Sequence, residues 1–448
     1  MSEYDLDDVP LHPAAWMREM VLQLERTERA TLEQQQANQA NHLRELVRHS
    51  LETVPAYKDR LKPLIRANGE ISLDGWLDVP VLKRKDAVDF GDDLVSTCVP
   101  ASHGKINQNE TSGSTGVPLK FNVTQFHRTM WSCITARYHR WNKINYHGSL
   151  ATIRSYPLGE ATWPQGIHRD YWAPSALKPD SPGTFHRLNV NTPVEQQCEW
   201  LRKIKPDYFH SFTNNARAVA LAMEEQGDPL KFQGVLTYAE MSPPETREII
   251  SRVFGCHVGD CYSTNECGYL ALQSPVSGNW LVQSEVTLLE ILNDQNLPCE
   301  QGEMGRVVVT ALHNYAQPLI RYELGDYATW GPPDASGFPF PVVSKIHGRT
   351  RNLFRLPGGI LIQPDFKPKN VHRYLSPKKW QVAQTGETTL EFRIIPGIEP
   401  AQMNTEGMNK YICELLGMDL TINYKLLTEM PNPRTGKCED YVCELPEK

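Results

Sequence analysis

Apolar positions near the start of the chain repeat at helical spacing. Leu43, Leu46, Val47 and Leu51 fall three and four residues apart, and Pro55 closes the run. The pattern predicts helix over residues 14–61, with the Gln-rich stretch 33–39 on its solvent side. Phe126, Met130, Ile134 and Trp141 share one face of a later helix. Between residues 150 and 309 the pattern changes, and short apolar runs alternate with helical periodicity. Residues 234–237 read as a strand, 244–254 as the helix after it, and 254–260 as the approach to the next strand. Such alternation predicts an α/β layered fold. Residues 286–292 and 305–310 read as paired strands. A Pro- and Gly-rich stretch at 331–341 precedes Gly348-Arg349-Thr350-Arg351-Asn352, where a domain boundary is expected. About a hundred residues follow, enough for a small α+β domain.

Composition narrows the classes. A chain of 448 residues exceeds one small core, so two domains are expected. Hydrophobic residues make up 40% and charged residues 22%, as in globular proteins. The net charge is -7 and no basic run of five or more residues occurs. That argues against a general nucleic-acid binder, which needs clustered Lys and Arg. The segment Met1 to Asp8 is acidic and polar, unlike a secretory leader, and no apolar run is long enough to cross a bilayer. A cytoplasmic protein with no membrane partner is expected. The 10 cysteines are scattered, which fits reduced thiols rather than a disulfide framework.

The densest chemistry lies in Thr111-Ser112-Gly113-Ser114-Thr115-Gly116-Val117-Pro118-Leu119-Lys120. Glycines let successive backbone N–H groups turn toward one concavity, hydroxyls add donors, and Lys120 adds a charge. A strand, Phe121 to Val123, follows. The loop lacks the Gly-Lys-Ser/Thr ending of a P-loop, and no GxGxxG turn is present. A plain Ser/Thr/Gly surface loop has the same composition, so its companions decide.

Those companions come in order. Tyr238-Ala239-Glu240 follows a strand end, where open α/β sheets place ligands. Tyr262-Ser263-Thr264-Asn265-Glu266 offers one carboxylate, which suffices for Mg²⁺ when phosphates supply other ligands. Gly302-Glu303-Met304-Gly305-Arg306 precedes a strand. Pro318-Leu319-Ile320-Arg321-Tyr322-Glu323-Leu324-Gly325-Asp326 ends in a carboxylate able to accept two hydrogen bonds. Gly348-Arg349, Gly358-Gly359 and Pro433-Arg434-Thr435-Gly436-Lys437 complete the set. Together they resemble the adenylate-forming superfamily of acyl- and aryl-CoA synthetases, luciferases and nonribosomal adenylation domains. Val54-Pro55-Ala56-Tyr57 and Val79-Pro80-Val81-Leu82-Lys83 look like its phenylacetate–CoA ligase branch, which commonly takes small aryl acids.

The resemblance implies a large N-terminal α/β domain, 1–350, binding ATP and the acid. A small mobile α+β domain, 351–448, would carry the catalytic Lys437. It also implies nucleotide contacts from Thr111, Ser112, Gly113, Ser114, Thr115, Gly116, Lys120, Ala239, Glu240, Tyr262, Asp326 and Arg349. Asp326 would take the ribose hydroxyls, Glu266 would hold Mg²⁺, and Asn265 would meet the α-phosphate or acid carboxylate. Ser263 and Asn265 depart from the usual glycine and hydroxyl residue, and Arg351 stands at the usual hinge pivot. The implied reaction joins a small-molecule carboxylic acid to AMP, then passes the acyl group to an acceptor thiol, expected to be CoA. An amine, or the thiol of a separate carrier protein, is the alternative acceptor. A catalytically silent nucleotide-binding protein is the alternative outside enzymes, and a homodimer stays open. Cys256, His257, Cys261 and Cys267 lack a zinc-knuckle spacing and read as ordinary strand and loop residues. Ser112 and Ser114 lack a Gly-x-Ser-x-Gly elbow. Arg154, Tyr156 and His168 are candidate polar anchors for the acid.

Overall fold

The computed structural model describes residues 13–445 apart from 111–118, 158, 175, 176, 178, 350–352, 363, 365, 367 and 431–439. The N-terminal periodic stretch forms two helices, α1 (Pro13–Thr27) and α2 (Leu32–Thr53), not one. Thr31 divides them. Its hydroxyl accepts from the Gln34 backbone N–H, and the Gln34 side chain accepts from the Thr31 N–H, a reciprocal cap that starts a new helix. The glutamines after it are not all a solvent face. Gln35 is buried and donates to the Thr27 carbonyl at 2.8 Å, while Gln39 donates to the carbonyls of Ser284 and Thr287. Backbone carbonyls without ladder partners need donors, and a long amide side chain can reach them.

After α3 (Tyr57–Arg60) and α4 (Arg84–Phe90) comes a hairpin, β1 (Ile106–Glu110) with β2 (Lys120–Thr124). Helix α5 (Gln125–Trp141) follows directly, capped by the Thr124 hydroxyl. The next segment alternates strand and helix: β3 (Leu150–Arg154), β4 (Ile167–Arg169), β5 (Phe185–Asn189), α6 (Val194–Ile204), β6 (Tyr208–Phe212), α7 (Thr213–Glu225), β7 (Gly234–Tyr238), α8 (Pro244–Phe254) and β8 (His257–Gly259). Its sheet has the order β4-β5-β3-β6-β7-β8, parallel except for the β4–β5 pair. Ala151, Ile153, Leu188, Phe209 and Val235 point from one face into a core shared with α6, α7 and α8.

A seven-stranded sheet comes next, from β9 (Cys261–Thr264), β10 (Gly268–Gln273), β11 (Trp280–Val282), β12 (Thr287–Leu292), β13 (Met304–Ala311), β14 (Tyr322–Trp330) and β15 (Val342–Arg349). Its order is β12-β13-β14-β15-β11-β10-β9, and β12 and β13 pair antiparallel with Leu289 opposite Val309. The rest comprises β16 (Phe354–Leu356), β17 (Ile360–Ile362), α9 (Pro368–Leu375), β18 (Pro377–Gly386), β19 (Thr389–Pro396), α10 (Thr405–Leu416), β20 (Thr421–Leu426) and β21 (Tyr441–Cys443). Strands β20-β19-β18-β21 form a four-stranded sheet.

The chain divides into two compact units, Met1–Leu324 with Ala328–Lys345, and Gly325–Tyr327 with Ile346–Lys448. The second unit has its own core, in which Phe354, Phe366, Val382, Phe392, Ile394, Met408 and Ile412 are fully buried. Among the described residues, no helix is long and apolar enough to cross a membrane.

Candidate active site

Strand β7 ends at Tyr238, and Ala239 follows in the left-handed region at φ +62. A non-glycine residue holds that conformation only where its surroundings fix it. Here Glu240 supplies the fixing contact, accepting the backbone N–H of Asn214 at 2.8 Å. Asn214 lies in the first turn of α7, where backbone donors lack helical partners and a carboxylate is favoured. The Tyr238-Ala239-Glu240 turn is thus pinned to the helix beside it.

Tyr262 is buried on β9. The Thr264 hydroxyl accepts the Cys267 N–H at 3.1 Å and closes the turn that carries Asn265 and Glu266. Asn265 is exposed, whereas Glu266 is only 9% exposed. Gly268 leaves this turn at φ +83 beside α5, where a Cβ would come within 3.4 Å of the Trp131 ring. The turn therefore packs on the helix that follows the β1–β2 hairpin. Within that hairpin Glu110 stands opposite Lys120, so the two strands bring the ends of the hydroxyl-rich loop together.

Strand β14 brings a further part. Burial first, then the charge of Glu266, raises the phenol pKa of Tyr322, and a hydrogen bond from Arg84 opposes the rise. The first residue of β14 therefore lies within the field of the Glu266 carboxylate. Asp326 is half-buried further along the strand. Before it, Gly325 takes φ +78 with open space where a Cβ would be. Glycine there supplies a backbone conformation, not room.

The start of β14 is anchored by the segments that look like the phenylacetate–CoA ligase branch. The Tyr57 hydroxyl donates to the Pro318 carbonyl at 2.8 Å and accepts the Ile320 N–H at 3.0 Å. Arg321 is fully buried at φ +50 and donates to the carbonyls of Trp76, Leu77 and Val79 at 3.2, 2.9 and 2.6 Å. It also pairs with Glu290 at 3.1 Å. Leu82 donates to the Arg321 carbonyl and accepts the Glu323 N–H. Asn122 of β2 exchanges hydrogen bonds with Gln317 and Asn314, tying the hairpin to the same approach.

Residues Thr111 to Gly116, Arg351 and Lys437 lie outside the described residues. Lys120 is exposed at the first position of β2, and Arg349 is the last residue of β15. Among the described residues, no group of three or more His, Cys, Asp or Glu is placed to hold a metal. An open hollow of about 460 Å³ beside Pro80 and Lys83 holds none of the expected site residues, and its Arg306 is already paired with Glu323.

Arg154, Tyr156 and His168 do not form one group. Arg154 lies over the rings of Tyr156 and Tyr238, at 5.8 and 5.9 Å. His168 stands opposite His186, whose register partner on β3 is Ala151, on the core-facing side. Strand alternation separates it from Arg154. Sequence reading also missed Arg187 and His210, which share the Arg154 face. Arg187 shares its face of β5 with Asn189, a weak alternation signal, while His210 lies between Tyr208 and Phe212 on its face of β6 and nothing local marks it. Arg137 was missed as well. It is buried and joins Leu24 of α1 to Gln283 and Glu285, and nothing local marks it as interior.

No family model matches the chain. Over 351 residues it is 24% identical to phenylacetate-coenzyme A ligase of Pseudomonas putida, covering 75% of each chain. In fold it resembles 2-hydroxyisobutyryl-CoA ligase in the postadenylation state in complex with R3-HIB-AMP. The TM-score is 0.71 at 18% identity, covering 94% of this chain and 92% of that one. It also resembles an anthranilate CoA ligase in complex with anthranoyl-AMP, with a TM-score of 0.53 at 16% identity, covering 74% of this chain and 65% of that one. The chain has the fold of the adenylate-forming CoA ligases.

Proposed function

We propose that the chain is an acid–thiol ligase, activating a small carboxylic acid with ATP and passing the acyl group to CoA. The observation that carries this reading is the placement of Glu266 beside Tyr322 at the start of β14, in a chain similar over most of its length to CoA ligases. Domain 1–350 binds ATP and the acid, and domain 351–448 is the mobile part that brings Lys437. The Ala239 turn and Tyr262 take the adenine, and Asp326 accepts from the ribose hydroxyls. The loop from Thr111 to Lys120, with Arg349, takes the phosphates.

Glu266 suits a magnesium ion. It is a single carboxylate, mostly buried, and its charge is felt by Tyr322. Mg²⁺ binds through one or two carboxylates plus substrate phosphates, and supplies charge neutralisation there. Asn265 can donate two N–H bonds toward the α-phosphate or the acid carboxylate. In the first step a carboxylate oxygen bonds the α-phosphorus and pyrophosphate leaves with the broken P–O bond. Lys437 stabilises the negative charge spread over the phosphate oxygens. In the second step the thiol sulfur bonds the acyl carbon, AMP leaves with the broken C–O bond, and the thiol proton passes to solvent. Holding both reactants in line supplies much of the rate.

The test is ATP–pyrophosphate exchange over aryl, hydroxy and aliphatic acids, followed by mass detection of the acyl-CoA. Lys437→Ala should lower exchange by about 100-fold or more with the fold intact, the scale of losing one transition-state donor. Undiminished exchange in that variant would remove the role of Lys437. ATP binding without exchange for any acid would favour the silent protein.

A further inference from the structure

The two faces of the β4-β5-β3-β6-β7 region differ in charge. Register partners in a sheet share a face, and side chains alternate along each strand. Ala151, Ile153, Leu188, Phe209 and Val235 bury the face toward α6–α8. On the other face, Arg169 stands opposite Phe185, while Thr152 lies between Arg187 and His210 in register. Arg154 lies two residues beyond Thr152, and Tyr238 two beyond Leu236, the partner of His210. One face thus gathers Arg169, Arg187, Arg154, His210 and Tyr238.

Among the described residues neither Arg154, Arg169 nor Arg187 has an ion-pair partner. Among the described residues, the Arg187 Nε and the Tyr238 hydroxyl are buried without a hydrogen-bond partner. Burial first, with Arg169 and Arg154 adding to it, lowers the Arg187 pKa, against Tyr156 and Glu160. Burial, then Arg154 and His139, holds His210 down to about 3, so its imidazole is neutral and adds no charge. Arg154 and Arg169 are exposed and Arg187 is half-buried, so their donors are open to an anion, whose charge would offset their mutual repulsion. The face adjoins the reaction, because Arg154 lies over the ring of Tyr238, the residue before the strained Ala239. The Glu240 carboxylate in that turn already accepts from Asn214.

Resting on the ligase reading, we infer that the acid substrate carries a second anionic group, bound by Arg154 at the end of β3 and Arg187 in the middle of β5. Tyr156, Tyr238 and Phe185 supply flat walls between the two charged ends, and the Arg187 guanidinium lies 4.5 Å from the Phe185 ring centroid. The class is a dicarboxylic acid or an aryl acid with a ring carboxylate. Guanidinium–carboxylate hydrogen bonds are the strong, geometrically selective kind.

The experiment uses the full chain and matched probes, pentanoate against glutarate and phenylacetate against 4-carboxyphenylacetate. Pyrophosphate exchange gives kcat/KM for each, and calorimetry gives acid binding without turnover. The diacid of one pair should exceed its monoacid by about 100-fold, the scale of a charge-assisted pair. Arg154→Gln or Arg187→Gln should cut that ratio to about fivefold or less while leaving the KM for ATP within about twofold, since only the far end of the acid is affected. Arg154→Lys should restore part of it. Equal or better exchange with the monoacids would overturn the inference and leave the ligase reading standing. So would a loss in the variants that is equal for both acids or appears in the KM for ATP, which would assign the cations to phosphate. No exchange with any acid would instead remove the ligase reading. Calorimetry then decides the anion site, supported by Arg154-dependent binding of a diacid over its monoacid and overturned by equal binding.

Discussion

Two buried residues show how single side chains set this fold. Arg321 closes three carbonyls of residues 76–79 and meets Glu290. Burial holds Glu290 above its ordinary pKa despite Arg321, so the carbonyl bonds matter at least as much as the ion pair. Arg321→Met should therefore destabilise by about 3–5 kcal/mol, the cost of breaking a buried charge network on one side. Denaturant unfolding measures this, and a loss below about 1 kcal/mol would refute the clamp. Asp260 gives a pH prediction. Burial raises its carboxyl to about 7 from 3.8, although Arg247 and the Thr237 hydroxyl oppose the shift. A raised folded pKa means the native state keeps its proton after the unfolded state has lost it. The stabilisation is full below about 4 and is lost as pH rises through about 7. Asp260→Asn should flatten the decline in Tm from pH 5 to pH 8 and stabilise the chain at pH 8 by on the order of 2 kcal/mol. An unchanged slope in the variant would show that Asp260 does not titrate in this range.

At the scale of elements, the candidate site depends on contacts that sequence order hides. Strand β7, helix α8 and the β12–β13 pair were legible because each repeats a simple period within its own residues. The break between α1 and α2 was not, although Thr31 and Gln34 have the spacing of a capping box. The motifs proposed to hold the nucleotide were legible as strings, but the contacts that support them were not. Tyr57 reaches Pro318 and Ile320, and Asn122 reaches Gln317, across stretches of chain that no local pattern links. Tyr57→Phe keeps the ring and removes both hydrogen bonds, leaving the Ile320 N–H buried and unpaired. It should cost about 1–3 kcal/mol. Because the bonds hold the approach to β14, the KM for ATP should also rise, whereas a purely local loss would leave it unchanged. Facing follows the same logic. His168 and Arg154 could be separated only once β4, β5 and β3 were in register.

At the scale of the molecule, each of the two units has its own buried interior. The interior of the first is built from the sheets and helices up to Lys345, while the second buries Phe354, Phe366, Phe392 and Met408 among its own strands and helices. Strands β18 and β19 pair along most of their length, β20 and β21 add parallel neighbours, and α10 contributes Met408 and Ile412 to the same core. A domain of about a hundred residues with a closed apolar core is large enough to fold alone. The fragment 346–448 should therefore unfold cooperatively, with a sigmoidal denaturant transition and dispersed amide signals, although it lacks Gly325–Tyr327. The fragment 1–345 should still bind ATP, since the proposed contacts at Ala239, Tyr262 and Glu266 belong to the first unit, but give no pyrophosphate exchange without Lys437. Adding the second fragment in excess should restore a trace of exchange, because joining the parts in one chain supplies an effective concentration on the order of millimolar that free fragments lack. If the 346–448 fragment instead behaves as an unfolded chain, its core is completed by the first unit, and the division of labour between an ATP-binding part and a lysine-bearing part loses its structural basis.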